Sequence, residues 1–468
     1  MPETIAFQDI RSLKALMNVG EITPSELVAM FADRISRHND VSKAFITLTL
    51  DAAAAQAAVL TREDLAESPI AGVPYACKDL FDVKGVLTTA GSRVFHDRIA
   101  AEDAYAVACL RNAGALNLGK TNLHEFAYGA TGENEVYGTC VNAYDTTRLA
   151  GGSSSGSAAA IAFGLVPAAL GTDTGGSVRA PAVLNGLVGL KPTIGRVPTS
   201  GIVPYCWTLD HVGLMTRTIA DCADILGLVA GHDPQDPASI NLPGENYAEA
   251  LVQDISGLRI GIPVNFFFER SDPEILEASE RVKAFLVAQG AKLVPITFPD
   301  MEHSRTVSLT VQLPEALSAH SAHLQERGEL YGKDFRAGLA LGQCLLAEHY
   351  VKAKRFIERY RQQTTVLFDD VDLILTPATP EIAQKTGTVM VTRDGVDEAI
   401  GNAITRFTTF FNMTGHPALT MPCGLHSEGL PIGLQLVGRY FDEKSLFRVA
   451  HVIEQHEAFS IPLPKVDS

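Results

Sequence analysis

The sequence has few cysteines, and none of them lies in a Cys-x-x-Cys spacing. Seven cysteines, an odd number, are scattered over 468 residues. In a chain of this length, such cysteines are typical of reduced residues in the core. They do not indicate a disulfide framework or a zinc site. Apolar runs of about 20 residues without Gly, Ser or Pro are also missing, which argues against a membrane span. The N-terminal residues show no basic region followed by an apolar one, so we expect no signal peptide and a cytoplasmic location.

Positive charge is scarce: 38 Lys and Arg stand against 54 Asp and Glu, a formal net charge of -16. A nucleic-acid-binding surface needs basic patches that neutralise phosphates, so no nucleic-acid partner is expected. Because 46% of the residues are apolar and no tandem repeat or linker is visible, the chain predicts a single domain over residues 1–468. The expected partner is a small molecule, without membrane contact, and the chain is expected to be a monomer or homodimer.

The regular elements predict an α/β protein. Residues 1–65 are predicted to be helical, and Thr23, Pro24 and Glu26 supply an N-cap, a first-turn proline and a capping-box partner. From Ala71 onward, short β-rich runs alternate with helices, which is typical of a layered α/β fold.

Charge is absent between Arg148 and Asp173, and this stretch joins two loops rich in Gly and Ser. The loops are residues 151–156 (GGSSSG) and 171–177 (GTDTGGS). A linker is disfavoured there, because an apolar helix and strand are predicted between the two loops, at residues 158–163 and 165–170.

The second loop precedes an apolar run at 178–184 that is predicted to begin a helix. Glycine allows backbone N–H groups to approach a bound atom closely, and N–H groups at a helix start favour negative charge. The pattern therefore predicts an oxyanion hole around Ser177. Its predicted donors are the backbone N–H groups of Thr174, Gly175 and Gly176.

Histidine is absent from both loops, although a serine nucleophile needs a base. The nearest histidines in other motifs are His124 and His211. Neither loop matches the elbow of a Ser-His-Asp hydrolase, in which Gly-x-Ser-x-Gly lies between a strand and a helix. Lys78 ends the otherwise apolar predicted strand at 73–78, which is an unusual place for a lysine. From the residues alone, a snorkelling lysine or one paired with Asp79 is the favoured interpretation.

Residues 114–121 (GALNLGKT) match the phosphate-loop pattern G-x-x-x-x-G-K-[ST]. That motif needs a strand before its first glycine and a helix after its lysine. Here Gly114 follows a predicted helix at 104–112, and residues 115–118 are predicted to be a strand between the two glycines. Nucleotide binding is therefore rejected.

Six segments together resemble the amidase signature family of serine hydrolases. They are residues 71–80 (AGVPYACKDL), 119–127 (GKTNLHEFA), 151–157 (GGSSSGS), 171–179 (GTDTGGSVR), 189–197 (GLKPTIGRV) and 430–438 (LPIGLQLVG). The resemblance implies a large mixed central β-sheet with helices on both faces, and residues 1–65 as a helical wrap. It also implies a Ser-Ser-Lys triad in which Ser177 is the nucleophile, Ser153 a bridging serine after a cis peptide bond, and Lys78 the base.

The implied chemistry needs no cofactor and no metal. Burial disfavours a charged lysine, so a neutral Lys78 would accept the proton of Ser177 through Ser153 and later return it to the leaving amine. The residues expected to support this site are Ser154, Asp173 and Arg179, the last two as an ion pair.

The resemblance implies that Tyr128, Gly129, Ala130 and Thr131 line a substrate cleft. With Tyr205 and Trp207 they suggest an aromatic acyl site, and hence aryl amides or carbamates as substrates. Trp207, the only tryptophan, is interpreted either as core filling or as a wall of this site.

The expected activity is that of a stand-alone amidase hydrolysing a C–N bond of a small amide. The alternative is the glutaminase subunit of a glutamyl-tRNA amidotransferase, which the central region also resembles. Two features argue against the alternative. Residues 336–343 lack the paired arginines that would bind the glutamine carboxylate, having Ala337 and Gly338 there. Thr405 stands where an acidic group would hold the substrate ammonium.

Overall fold

The computed structural model describes residues 3–466. Within that range the β-strands are β1 (Phe45–Leu48), β2 (Pro74–Lys78), β3 (Leu116–Thr121), β4 (Ala168–Asp173), β5 (Val188–Lys191), β6 (His211–Thr216), β7 (Arg259–Pro263), β8 (Lys292–Ile296), β9 (Leu373–Pro377), β10 (Met390–Arg393), β11 (Val396–Ala399), β12 (Ala418–Leu425) and β13 (Pro431–Gly438). The α-helices are α1 (Ile10–Val19), α2 (Pro24–Ser42), α3 (Leu50–Val59), α4 (Arg62–Glu67), α5 (Tyr105–Asn112), α6 (Ser155–Ala162), α7 (Arg179–Leu184), α8 (Ile219–Val229), α9 (Pro273–Ala288), α10 (Ser304–Arg327), α11 (Lys333–Gln343), α12 (Ala347–Leu367), α13 (Ile400–Thr405), α14 (Thr409–Thr414) and α15 (Glu443–Glu454). None of the helices in this range is long and apolar enough to cross a membrane.

The predicted α/β class is confirmed. Eleven strands form one sheet in the order β1-β3-β2-β4-β6-β5-β12-β13-β9-β7-β8, while β10 and β11 form a separate hairpin. The sheet is mixed: β2 runs parallel to β3 and β4, and β7 runs parallel to β8 and β9, whereas the remaining neighbours are antiparallel. Helices cover the large mixed sheet, as the resemblance implied.

The N-terminal capping box is also confirmed. The Thr23 hydroxyl accepts the N–H of Glu26 at 3.2 Å, and the Glu26 carboxylate accepts the N–H of Thr23 at 2.8 Å. These reciprocal bonds satisfy donors that a helix start leaves free. Helix α2 then buries Leu27, Phe31 and Ile35 in the core. The prediction that residues 1–65 are helical is wrong at β1, which pairs with β3 at the edge of the sheet, and residues 1–2 of that range lie outside the described residues.

The parallel pairing of β2 with β4 is what positions the site. Ala76 pairs with Ala169 and Cys77 with Leu170, so the carboxyl ends of both strands reach the same edge of the sheet. Those ends are Lys78 and Asp173, and both side chains are fully buried. Two segments that lie 95 positions apart in the chain thereby become neighbours.

Helix α6 lies close to these strands because its residues are small. Its sequence is SGSAAAIA, and every one of its residues is buried. A Cβ atom at Gly156 would lie 2.4 Å from the backbone N of Asn122, so the chain needs glycine there. The strand predicted at 165–170 is found at Ala168–Asp173 instead, since Gly164 has a φ of +68° and ends the helical segment with a turn.

The apparent phosphate loop has a different local structure. Residues 116–121 form β3, so Lys120 lies within a strand and not at the start of a helix. Its ammonium donates to Asp79 at 2.7 Å, with both side chains fully buried. Lys120 therefore belongs to the core.

Candidate active site

The end of β2 brings Lys78 into contact with the first Gly/Ser loop. The Lys78 Nζ lies 2.7 Å from the Ser153 Oγ and 2.8 Å from the Thr172 Oγ1. Lys78 and Ser153 are both inaccessible to solvent. Both hydrogen-bond partners are neutral hydroxyls, so neither of them balances the charge of a protonated lysine.

Burial lowers the pKa of Lys78 to about 7, although the negative charges of Asp210 and Asp173 act to raise it. A substantial fraction of this side chain is then neutral at physiological pH. The interpretation of Lys78 as the ion-pair partner of Asp79 is wrong, because the Asp79 carboxylate is held by Lys120.

Ser177 lies in the wall of an open cleft and keeps 7% of its surface exposed. Its carbonyl accepts the N–H of Ser154 at 3.2 Å, and the carbonyl of Ser153 accepts the N–H of His124 at 3.1 Å. The two serine loops are thus joined through their backbones. The peptide bond between Gly152 and Ser153 is cis. Among the described residues, the Ser177 hydroxyl has no hydrogen-bond partner, so it is free to face a substrate.

Asp173 and Arg179 form a buried ion pair beneath the Ser177 loop. The Arg179 Nη2 lies 2.9 Å from one Asp173 oxygen, and its Nε lies 3.0 Å from the other. Burial acts to raise the pKa of Asp173, but Arg179 and Asn412 hold it well below its ordinary value. A carboxylate that stays charged and fully bonded keeps the loop rigid.

The same carboxylate changes the predicted oxyanion hole. The N–H of Gly176 donates to the Asp173 Oδ1 at 2.8 Å, so Gly176 is not available as a donor in this structure. The N–H groups of Thr174, Gly175 and Ser177 donate to none of residues 3–466. The prediction of Gly176 as a donor is therefore wrong, because sequence alone cannot tell which N–H group the neighbouring aspartate takes.

Residues distant in sequence also hold this loop, and sequence analysis missed them. The hydroxyls of Thr408 and Thr409 both donate to the carbonyl of Gly175, at 2.8 and 2.9 Å. The Asn412 amide donates to the Asp173 carboxylate at 2.8 Å. Asp210 binds the Thr174 hydroxyl. These contacts fix the orientation of the Gly175–Gly176 peptide group, and no motif in residues 405–412 indicated them.

The cleft containing Ser177 has a volume of about 540 Å³. Five of the six predicted substrate-binding residues line it: Tyr128, Gly129, Ala130, Thr131 and Tyr205. The sixth, Trp207, is 55% exposed and is not part of the cleft wall. Both interpretations of Trp207, as core filling and as pocket wall, are therefore wrong.

The two histidines noted in the sequence do not contact the serine hydroxyls. His124 lines the cleft beneath Gly129, where a Cβ atom would lie 2.4 Å from the imidazole ring. Burial lowers the pKa of His124 to about 4. His211 is buried, and its Nδ1 lies 2.7 Å from the carbonyl of Leu209.

The chain is similar to known proteins over most of its length. A family model described as Amidase matches residues 26–447. One glutamyl-tRNA(Gln) amidotransferase subunit, from Chloroflexus aggregans, is 38% identical, over 93% of each chain. The corresponding amidotransferase subunit from Persephonella marina is 34% identical, over 98% of this chain and 99% of its own.

Solved structures are similar over the whole fold. One belongs to a vestigial protein complex described as revealing the evolutionary origins of an s-triazine catabolic enzyme. It superposes with a TM-score of 0.93 at 32% identity, covering 97% of this chain and 100% of that one. A structure described as an amidase has a TM-score of 0.86 at 34% identity, over 96% and 99% of the two chains.

Proposed function

Because this chain belongs to the amidase signature family and is a hydrolase acting on carbon–nitrogen bonds other than peptide bonds, we propose that it cleaves a small amide through an acyl-enzyme on Ser177. The contact that carries this proposal is that between the Lys78 Nζ and the Ser153 Oγ, 2.7 Å apart in a solvent-free setting. It gives a serine hydroxyl a base of suitable strength without a histidine.

In the proposed first step, the Ser177 hydroxyl, which has no hydrogen-bond partner among the described residues of the free protein, turns toward Ser153. Neutral Lys78 accepts the proton of Ser153 while Ser153 accepts that of Ser177. The Ser177 Oγ bonds to the substrate carbonyl carbon, and the carbonyl oxygen becomes an oxyanion. The N–H groups of Thr174, Gly175 and Ser177 are the proposed donors to this oxyanion. Each such donor is worth about 3 to 4 kcal/mol in comparable enzymes.

In the second step the proton returns through Ser153 to the nitrogen of the leaving amine, and the C–N bond breaks. Water then attacks the acyl-enzyme, and the same relay takes its proton and restores Ser177. Lys78 ends each cycle neutral. The chemistry is complete without a metal or a cofactor.

The proposed support for the site comes from Ser154, Asp173 and Arg179. Ser154 donates its hydroxyl to the Thr172 carbonyl at 3.1 Å, close to the Thr172 hydroxyl that holds Lys78. We also propose that residues 1–468 form a single domain, since one sheet includes strands from β1 at 45–48 to β13 at 431–438.

The proposed acyl site is the aromatic part of the cleft. The rings of Tyr128 and Tyr205 lie 6.0 Å apart, and Phe335 packs 5.5 Å from Tyr128. An aromatic wall favours aryl amides or carbamates. A side-by-side screen of anilides, primary amides, carbamates and glutamine tests this preference, and equal rates on small aliphatic and aryl substrates contradict it.

The second candidate function is that of a glutaminase subunit in an amidotransferase. The names of the curated relatives favour it over the stand-alone enzyme preferred from the sequence. Thr405 and Ala337, two of the residues that argued against glutamine in the sequence, line the cleft that contains Ser177. Their side chains therefore bear on which substrate the cleft accepts. Glutaminase activity that appears only after adding the other subunits of a glutamyl-tRNA(Gln) amidotransferase would establish this candidate.

The nucleophile is tested with a fluorophosphonate probe. Ser177→Ala is expected to abolish both amide hydrolysis and covalent labelling, whereas the surface variant Ser256→Ala should retain both. Ser153→Ala should slow labelling, because the relay is interrupted. Labelling that survives Ser177→Ala but is lost in Ser153→Ala or His124→Ala would show that another residue is the nucleophile.

A further inference from the structure

Arg305, near the start of α10, occupies an unusual place in the cleft. It lines the 540 Å³ cleft that contains Ser177 and also an adjoining cavity of about 360 Å³. Asn402 and Thr405 are the other two residues common to both walls. The guanidinium therefore lies where the two cavities meet.

This arginine has no protein partner among residues 3–466. Its Nε is buried without a hydrogen bond, and none of the ion pairs within that range includes it. Its neighbours differ: Arg406 donates to the Glu398 carboxylate, and Arg270 lies 4.0 Å from the same carboxylate. Glu398 is thus already engaged by two other arginines.

Arg305 is half-buried, but its Nε is inaccessible to solvent and has no hydrogen-bond partner among residues 3–466, so a ligand in the cleft would supply the missing acceptor. Burial lowers the pKa of Arg305, even though Tyr205, Tyr128 and Glu398 act to raise it. Buried charges are normally paired, because the desolvation cost is otherwise uncompensated. The planar fork of a guanidinium matches a carboxylate through two parallel hydrogen bonds.

We propose that Arg305 is a specificity-determining residue that binds a carboxylate of the substrate, so that the enzyme acts on amides that carry a second, anionic group. This inference rests on the proposed function, since it names the substrate class of the same cleft. Arg305 contributes binding and orientation, while the relay of Lys78 and Ser153 performs the chemistry.

The proposal also accounts for the departures from the glutaminase pattern. The cleft lacks a paired arginine at residues 336–343, where Ala337 forms part of the wall. Gly338 packs against the ring of Tyr128 and leaves no room for a side chain, since its Cβ would lie 2.7 Å from that ring. Arg336 of α11 does not line the cleft, whereas Arg305 of α10 does.

The test uses two primary amides of similar shape, glutaramate and 5-methylhexanamide, in which a planar carboxylate is exchanged for an isopropyl group. The wild-type enzyme is expected to prefer glutaramate in kcat/KM. Arg305→Met should lower the glutaramate to 5-methylhexanamide ratio by about 10- to 100-fold, as expected for a lost hydrogen bond to a charged group. Arg305→Lys should keep part of the preference for glutaramate, because lysine retains the positive charge but lacks the two parallel N–H donors of a guanidinium.

The matched control is Arg270→Gln, which changes an arginine of the adjoining cavity that already faces Glu398. It is expected to leave the ratio unchanged. Thermal unfolding of each variant shows whether the fold persists. A wild-type enzyme that does not distinguish the two amides, or a ratio that Arg305→Met leaves unaltered, would overturn the proposal.

Calorimetry on the Ser177→Ala protein separates this inference from the proposed function. If no amide is hydrolysed at all, the proposed function fails, yet the dissociation constants of glutaramate and 5-methylhexanamide still decide the role of Arg305. Tighter binding of glutaramate that is lost in Ser177→Ala/Arg305→Met supports the carboxylate site. Equal binding of the two compounds, or binding of neither, contradicts it.

Discussion

The Asp79 carboxylate is bound by Lys120 at 2.7 Å, and not by its neighbour in sequence, Lys78. β3 runs parallel to β2 and brings Lys120 within reach of Asp79. Lys78 is thereby left with two hydroxyl partners, those of Ser153 and Thr172. This division of partners distinguishes two buried lysines in adjacent strands: Lys120 forms an ion pair, and Lys78 is the one proposed to transfer protons.

The first prediction concerns pH. Because burial lowers the pKa of Lys78 to about 7 and only the neutral amine accepts a proton, kcat/KM should fall about tenfold per pH unit below pH 7 and level off above it. Steady-state kinetics between pH 5 and 9 measure this acidic limb of the pH–rate profile.

The control for that prediction is His124→Gln. Burial lowers the pKa of His124 to about 4, so its loss should leave the limb near pH 7 in place, whereas Lys78→Met should remove the activity. A limb that disappears with His124 would assign the base to the histidine.

The second prediction concerns stability. Lys120→Met leaves the Asp79 carboxylate buried and uncompensated, so the free energy of unfolding should fall by about 3 to 5 kcal/mol. Chemical denaturation measures it. Lys120→Met/Asp79→Asn should recover much of the loss because it removes both charges of this buried pair. Arg281→Ala removes an exposed pair with Glu277 and should cost less than about 1 kcal/mol; similar losses for Lys120 and Arg281 would argue against this account.

The third prediction concerns the nucleophile loop. Gly176 has a φ of +122°, and a Cβ atom there would lie 1.9 Å from the Thr408 hydroxyl. Gly176→Ala should displace the Gly175–Gly176 peptide group and reduce kcat by about 100-fold or more, as expected when oxyanion donors are misplaced. Gly395→Ala, at a φ of +74° with open space around it, should keep normal kinetics. Comparable activity of the two variants would show that the loop tolerates the shift.

The fourth prediction separates two aromatic residues that the sequence places in one acyl site. Tyr128 lines the cleft, so Tyr128→Ala should raise KM for an anilide by about tenfold through the lost ring packing. Trp207 is 55% exposed outside the cleft, and Trp207→Ala should change kcat/KM by less than about twofold, the range of ordinary surface substitutions. A larger effect at Trp207 than at Tyr128 would contradict the cleft assignment.

Local signals predicted the elements that depend on neighbouring residues. The capping box at Thr23 and the helix α2 that follows it come from contacts within one turn, so the sequence was sufficient there. Strand β1 at 45–48 was missed within the segment predicted to be helical, because its pairing with β3 is a contact between distant segments. The strand at 168–173 was misplaced by three residues, because an apolar run continues through the turn at Gly164 and hides the boundary. Trp207 was misinterpreted because an aromatic residue beside a motif is assumed to be buried.

By itself, the sequence determined the α/β class, the two Gly/Ser loops and, through its resemblance, the family and the three residues proposed for catalysis. Only the tertiary structure decided the partners of those residues. Lys120 forms an ion pair with Asp79 because their strands pair in parallel. The Asp173 carboxylate accepts the N–H of Gly176, and Thr408 and Thr409 bind the same loop from more than 200 positions away. The physical reason is that hydrogen bonds and charge pairing depend on distances of a few ångströms, and the sheet topology sets those distances between segments that no local pattern connects.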